Sequence, residues 1–165
     1  MRELLLKLHY LNLEIDEIYE IVGMIKKGGN IGAILGKNYS KYKNLSFACI
    51  TKDLKKHNIR YSTILDKNYP PKLVNIFMPP IVLFYKGNLA LLNERIMAVI
   101  GSRNNTPYGE KAVNYFVSKL VKNQFHIASG LAYGIDTLAH KRALASGGKT
   151  IAVLGSGINE IYPKN

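Results

Sequence analysis

Apolar positions in the first 58 residues recur at intervals of three and four. Leu4, Leu5, Leu8 and Leu11 form one run, and Ile15, Ile18, Tyr19 and Val22 a second. That spacing gathers side chains on one face of an α-helix. Asp16 and Glu20 stand at the front of the second run, where acidic groups favour a helix start. Gly28-Gly29-Asn30-Ile31-Gly32 interrupts the pattern between short helices. Residues 1–58 therefore read as a small all-helical domain. Near residue 59 the period changes. Ile59 to Leu65 suits a strand, Asp66 to Pro71 a turn, and Ile81-Val82-Leu83-Phe84-Tyr85 a second strand between Pro79-Pro80 and Gly87-Asn88.

From residue 95 strands and helices alternate. Ile96-Met97-Ala98-Val99-Ile100 is a continuous apolar run, as expected of a strand buried on both faces. Gly109 to about Asn123 has helical spacing, with Ala112, Val113, Phe116, Val117, Leu120 and Val121 on one face. Phe125 to Ser129 follows as a strand, Ile135 to Ala145 as a helix, and Thr150 to Leu154 as a third strand. Strand–helix–strand–helix–strand implies parallel strands joined by right-handed crossovers. The fold class is α/β, with the helical N-terminal domain followed at 59–165 by part of a doubly wound, Rossmann-like parallel sheet.

Composition narrows the chemistry. The 165 residues carry 23 Lys and Arg against 11 Asp and Glu, a net charge of +12. An excess of that size is the electrostatic footprint of a phosphate-rich partner, or of a lysine-rich proteome. Residues 21–60 hold Lys26, Lys27, Lys37, Lys41, Lys43, Lys52, Lys55, Lys56 and Arg60 against Asp53 alone. Tyr39 and Tyr42 stand among these lysines, so the stretch reads as a solvated face or a secondary DNA surface. Cys49 is the single cysteine, and its neighbours suggest a buried small hydrophobe. With it and four scattered His no metal site is expected. No apolar run reaches bilayer length, and no signal peptide is expected. A cytoplasmic location follows as an expectation, with no membrane partner.

In an open α/β sheet ligands bind beyond the carboxyl ends of the strands. Three loops fall there. The first, Gly101 to Gly109, offers close backbone approach at Gly101, a hydroxyl at Ser102, a planar cation at Arg103, and Thr106-Pro107 as a helix start suited to an anion. It reads equally as an ordinary turn with an exposed arginine. The second, Ser129 to Asp136, leaves room at Gly130 and Gly134. Asp136 and His140 stand four apart and could face each other. A structural Asp–His contact is the preferred reading over a catalytic pair, because no nucleophile is placed by the spacing. The third, Gly155 to Pro163, is another small-residue loop. Together they suggest a pocket for phosphates or an extended phosphodiester. Neither Gly-x-x-x-x-Gly-Lys-Ser/Thr nor, in the first loop, Gly-x-Gly-x-x-Gly is present, which argues against an NTPase or a dinucleotide dehydrogenase.

The ordered set of motifs carries a resemblance. Val99-Ile100-Gly101-Ser102-Arg103 with Thr106-Pro107-Tyr108-Gly109 comes first. Ser129-Gly130-Leu131-Ala132, Gly134-Ile135-Asp136 and Ala139-His140 follow, then Gly147 to Gly155 and Ile161-Tyr162-Pro163. With Tyr69-Pro70, Pro79-Pro80 and Leu83-Phe84-Tyr85 upstream, residues 60 to the end resemble the DNA-processing protein A (DprA/Smf) family. The helical domain is similar, more loosely, to that family's sterile-alpha-motif-like domain.

The resemblance implies single-stranded DNA binding without strong sequence preference, no catalytic step and no cofactor. It implies RecA recombinase as a partner during natural transformation, and a homodimer in the full-length protein. It places the DNA-binding residues at Gly101, Ser102, Arg103, Asn104, Gly130, Leu131 and Gly155. The family's sheet continues where this chain stops, so the chain is expected to be truncated in the C-terminal half of its sheet. The alternative is a Rossmann-like nucleotide hydrolase of the lysine-decarboxylase-like phosphoribohydrolase type, whose Pro-Gly-Gly-x-Gly-Thr motif is absent.

Overall fold

The three-and-four spacing of the N-terminal stretch is realised as α1 (Arg2–His9), α2 (Ile15–Lys26), α3 (Ile31–Leu35), α4 (Tyr39–Asn44) and α5 (Phe47–Lys56). The structure is a computed structural model that describes residues 1–160. Local chemistry sets the helix starts. The Glu14 N–H donates to the Glu17 carboxylate at 2.9 Å. Asn30 and Ser46 accept from the backbone N–H groups of Ala33 and Cys49. Each such cap satisfies an otherwise orphaned donor. Leu5, Leu6, Leu8, Leu11, Ile18, Ile21, Leu35, Ile50 and Leu54 are buried and form the helical core. Cys49, expected inside, is exposed. On α5 the inward stripe is Ile50 and Leu54, one helical step away from it.

After α5 come β1 (Arg60–Thr63), the single turn α6 (Pro71–Val74) and β2 (Val82–Tyr85). The strands pair antiparallel, Arg60 opposite Tyr85 and Thr63 opposite Val82. The hairpin packs on α1. The Arg2 guanidinium pairs with Asp66 at 3.2 Å and lies 4.5 Å from the Tyr61 ring centre. The Pro79-Pro80 pair supplies fixed acceptors: the hydroxyls of Tyr19 and Tyr69 donate to the Pro79 and Pro80 carbonyls at 2.9 and 2.7 Å. Burial beside that bond pushes the Tyr69 hydroxyl up to about 12. Sequence periodicity changes near residue 58, whereas compactness divides the chain after Leu89, because the hairpin joins the helices.

The second unit begins at Ala90. It holds β3 (Ile96–Ala98), α7 (Pro107–Lys122), β4 (His126–Ser129), α8 (Ile135–Ala145) and β5 (Thr150–Ala152). The strands are parallel in the order β3-β4-β5. The helices α7 and α8 pack on each other and on β4, so both cover one face of the sheet. Val113, Val117, Ile127, Ala139 and Ala143 form that core, with Val99, Leu120 and Ile135 packed against it.

Two expectations change here. The Ile96–Ile100 run is not buried on both faces. Side chains alternate along a strand, and the face away from the helices carries Ile100, 76% exposed, and Val153, 64% exposed. Nothing within the described residues of this unit covers it. Phe116 lies on the flank of the α7 stripe rather than within it. It is 61% exposed and meets Tyr115 edge to face at 5.3 Å. Among the described residues no helix is long and apolar enough to cross a membrane.

Candidate nucleic-acid interface

Parallel pairing puts the three loops at one end of the sheet, and the first two are built against each other. The Ile135 N–H donates to the Ser102 carbonyl at 3.1 Å. Gly134, at φ +77°, packs on the same stretch: a Cβ there would collide with the Ser102 carbonyl oxygen and lie 2.5 Å from that of Arg103. Gly101 answers from the other side, since a Cβ on it would come within 2.7 Å of the Ile135 side chain. The sequence leaves open at Gly134 whether backbone or a ligand uses the room, and at Gly101 it suggests close approach to a ligand. The space is taken by the protein's own loops, which fixes the path of residues 101–104.

Within that path Ser102 and Asn104 close a small turn. The Asn104 N–H donates to Ser102 Oγ at 3.1 Å, and Ser102 Oγ donates to the Asn104 carbonyl at 2.9 Å. Thr106 caps α7 by accepting from the Gly109 N–H at 3.1 Å, with Pro107 in the first helical turn, as the sequence indicates. Arg103 projects from the turn and is exposed. Among the described residues no carboxylate lies within salt-bridge distance of it. A guanidinium so placed is available to an anion.

The second loop is held from below. The Gly130 N–H donates to the buried Asp136 carboxylate at 3.0 Å, and a Cβ on Gly130 would approach that oxygen to 2.8 Å. Leu131 adopts φ +60°, half-buried. Thr137 secures the following turn through the Ala132 carbonyl, by its hydroxyl at 2.6 Å and its N–H at 3.1 Å. Ser129 Oγ reaches across to the Val99 carbonyl at 2.7 Å, tying the first two strand ends together.

The hydrogen bonds of Asp136 and His140 run elsewhere than the expected contact between them. His140 Nδ1 is 2.6 Å from Thr150 Oγ1, which itself donates to the Ile127 carbonyl at 2.9 Å. The threonine proton being committed there, Nδ1 of the imidazole is the donor to the hydroxyl oxygen. Burial lowers the His140 pKa, and the Asp136 charge opposes that shift without reversing it. Nε2 is buried without a partner. Burial disfavours the ring as a cation for phosphate, and the hydroxyl it meets has its proton committed to the Ile127 carbonyl. Sequence spacing flagged the pair, but Thr150 carried no signal.

The third loop is tied in through the Val153 N–H, which donates to the Ser129 carbonyl at 2.9 Å. At Gly155 a Cβ would meet open space, with no atom within 4 Å. The structure thus packs Gly101, Ser102 and Arg103 against Gly134 and Ile135 of the second loop, the loop that also holds Gly130 and Leu131, while Gly155 lies on the third loop at the same end of the sheet. The Ile161-Tyr162-Pro163 part of the motif lies outside the described residues.

Residues 60–165 match the family described as DNA recombination-mediator protein A. The chain belongs to that family. The DNA processing protein DprA of Streptococcus pneumoniae is 51% identical over 102 residues, a stretch covering 62% of this chain and 36% of the relative. The protein Smf of Escherichia coli is 45% identical over 96 residues, 58% of this chain and 26% of the relative. The X-ray structure of the S. pneumoniae protein superposes with a TM-score of 0.81 at 37% identity, covering 96% of this chain and 59% of that one. A Helicobacter pylori DNA processing protein A, solved for its single-stranded DNA binding mode, matches with a TM-score of 0.55 at 34% identity, over 64% of this chain and 47% of that one. The chain therefore spans about a third of the curated S. pneumoniae relative and well over half of the chain in its crystal structure. The α/β fold and the membership in this recombination-mediator family agree with the expectations from sequence.

Proposed function

We propose that the chain binds single-stranded DNA through the loop cluster at the carboxyl ends of β3, β4 and β5, with Arg103 as its principal phosphate contact. Gly101, Ser102 and Asn104 shape the turn that presents Arg103, Gly130 and Leu131 wall the cluster, and Gly155 borders it. The observation that carries this reading is the locked turn at residues 101–104. Its backbone is pinned by Gly134 and Ile135 while its one cation remains exposed without a carboxylate partner among the described residues. Backbone N–H groups and an arginine held this way grip phosphates and read no bases. The H. pylori relative's single-stranded DNA binding mode supports the choice of ligand. In the whole protein this binding would serve recombination mediation in the cytoplasm, with handover to RecA during natural transformation, by a homodimer and without a catalytic step.

Fluorescence anisotropy of a labelled oligo-dT against its duplex, across a salt series, tests the reading. The single strand should bind more tightly, and binding should weaken steeply with salt. Arg103→Ala should weaken binding about tenfold and lower the salt slope by about one. Equal affinity for the duplex, or unaltered binding by Arg103→Ala, would refute the assignment.

A further inference from the structure

The helical unit holds a cavity of about 630 Å³ between the end of α5 and the β1–β2 hairpin. Local geometry builds it. The Ile59 N–H bonds back to the Leu54 carbonyl at 2.8 Å and Asn58 takes φ +55°, which ends α5 and turns the chain into β1. Lys55, in the last helical turn, and Arg60, the first strand residue, therefore flank one mouth. The hairpin register sets Tyr85 opposite Arg60, and Lys86 follows. Arg2 and Tyr61 complete the wall. Four cations line the cavity and no carboxylate does. The Arg60 guanidinium lies 5.0 Å from the Tyr85 ring centre and donates to the Gly87 carbonyl; the Arg2 guanidinium stacks on Tyr61. Asp66, outside the lining, pairs with Arg2.

We infer that this cavity is a second anion site, taking the phosphate of a nucleotide, free or within a strand. Three features select that chemistry. Cations without lining carboxylates favour a phosphate over a neutral or basic ligand. Guanidinium–tyrosine stacks present planar surfaces on which a base can lie. The volume falls within the range of about 300–1,000 Å³ typical of small-ligand pockets. The inference uses the helical unit alone and stands or falls independently of the Arg103 cluster.

The test is a titration of the ¹⁵N-labelled full chain, followed residue by residue, with dTMP, with a hexameric oligo-dT, and with thymidine as the phosphate-free reference. The amides of Lys55, Asn58, Arg60, Lys86 and Gly87 should shift saturably with a phosphate-bearing probe and not with thymidine. A shift with dTMP identifies a free-nucleotide site, and a shift with the hexamer alone identifies a strand site. Lys55→Glu with Lys86→Glu should weaken that binding about a hundredfold, taking about tenfold for each charge-assisted contact. Movement at residues 101–104 is read separately and reports on the other cluster. No shift at the cavity with either probe, an equal shift with thymidine, or equal affinity in the doubly substituted chain overturns the inference.

Discussion

Replacing Gly134 by alanine isolates the contact on which the Arg103 turn depends. Gly134 has φ +77° and ψ −129°, a conformation L side chains rarely adopt. Forcing a non-glycine residue there costs about 1–3 kcal/mol. The added methyl also meets the carbonyls of Ser102 and Arg103, the second at 2.5 Å. Both are backbone atoms and cannot swing aside as a side-chain end can, so overpacking adds a further cost of about 1–3 kcal/mol. A loss of about 3 kcal/mol is expected, which in a unit of this size lowers Tm by roughly 12–24 °C. Calorimetry or urea denaturation of the full chain reads it. The control is Gly155→Ala, where no atom lies within 4 Å and φ is not left-handed, so a change of no more than about 0.5 kcal/mol is expected. If the loops relax instead of the unit unfolding, Gly134→Ala keeps most of its stability but loses single-strand affinity as the turn shifts. A Gly134→Ala chain with both the melting behaviour and the DNA affinity of the parent would refute the claim that Gly134 fixes this turn.

Three further outcomes follow from the same packing. His9 and His140 both have pKa values lowered by burial, so the unfolded chain binds more protons than the folded one just below the ordinary histidine value. Stability should hold above about pH 6.5 and decline as pH falls through the lowered folded values; urea midpoints equal at pH 7.5 and 5.5 would contradict this. Asp136→Asn keeps the shape but replaces the charged acceptor of the Gly130 N–H with a neutral one, and should cost about 1–2 kcal/mol by chemical denaturation; a neutral result would mean that the 3.0 Å bond does not hold the loop. Ile127→Ala empties the centre of the β4 core and should cost about 2–5 kcal/mol in the same assay; a loss below about 1 kcal/mol would mean that the site is not packed as described.

Strands and helices were legible wherever burial follows one period. The α8 boundaries are found where the sequence puts them, and so is the Thr106–Pro107 start of α7, because a cap and a proline act within a single turn. Each strand is shorter than its apolar run: β3 ends at Ala98 although the run continues to Ile100. Apolar character records the demand for cover, whereas pairing needs a neighbour at each position. For the same reason Ile100, in a run expected to be buried on both faces, lies bare, as does Val153, since among the described residues helices cover only one face of this sheet. Phe116 and Cys49 missed for a narrower reason. A helical stripe has edges, and a residue one step off the stripe carries the same composition as a residue on it.

The loop cluster shows what residue identity can and cannot specify. A glycine at a strand end signals that something passes where a Cβ would be. It does not say whether that object is a ligand or the chain itself. At Gly101 and Gly134 it is the chain: Ile135 fills the first space and the Ser102–Arg103 backbone the second. This moves the functional weight of the motif. The glycines lock two loops together, and on the proposed reading the binding chemistry falls to the one side chain they present. The spacing of Asp136 and His140 is likewise real but serves two separate anchors, Gly130 on one side and Thr150 on the other. Substitutions at Gly101 or Gly134 should therefore act on affinity through the position of residues 102–104, and Arg103→Ala should act on affinity with stability intact. A Gly134→Ala chain whose loss of affinity persists under conditions where it is fully folded would separate positioning from stability.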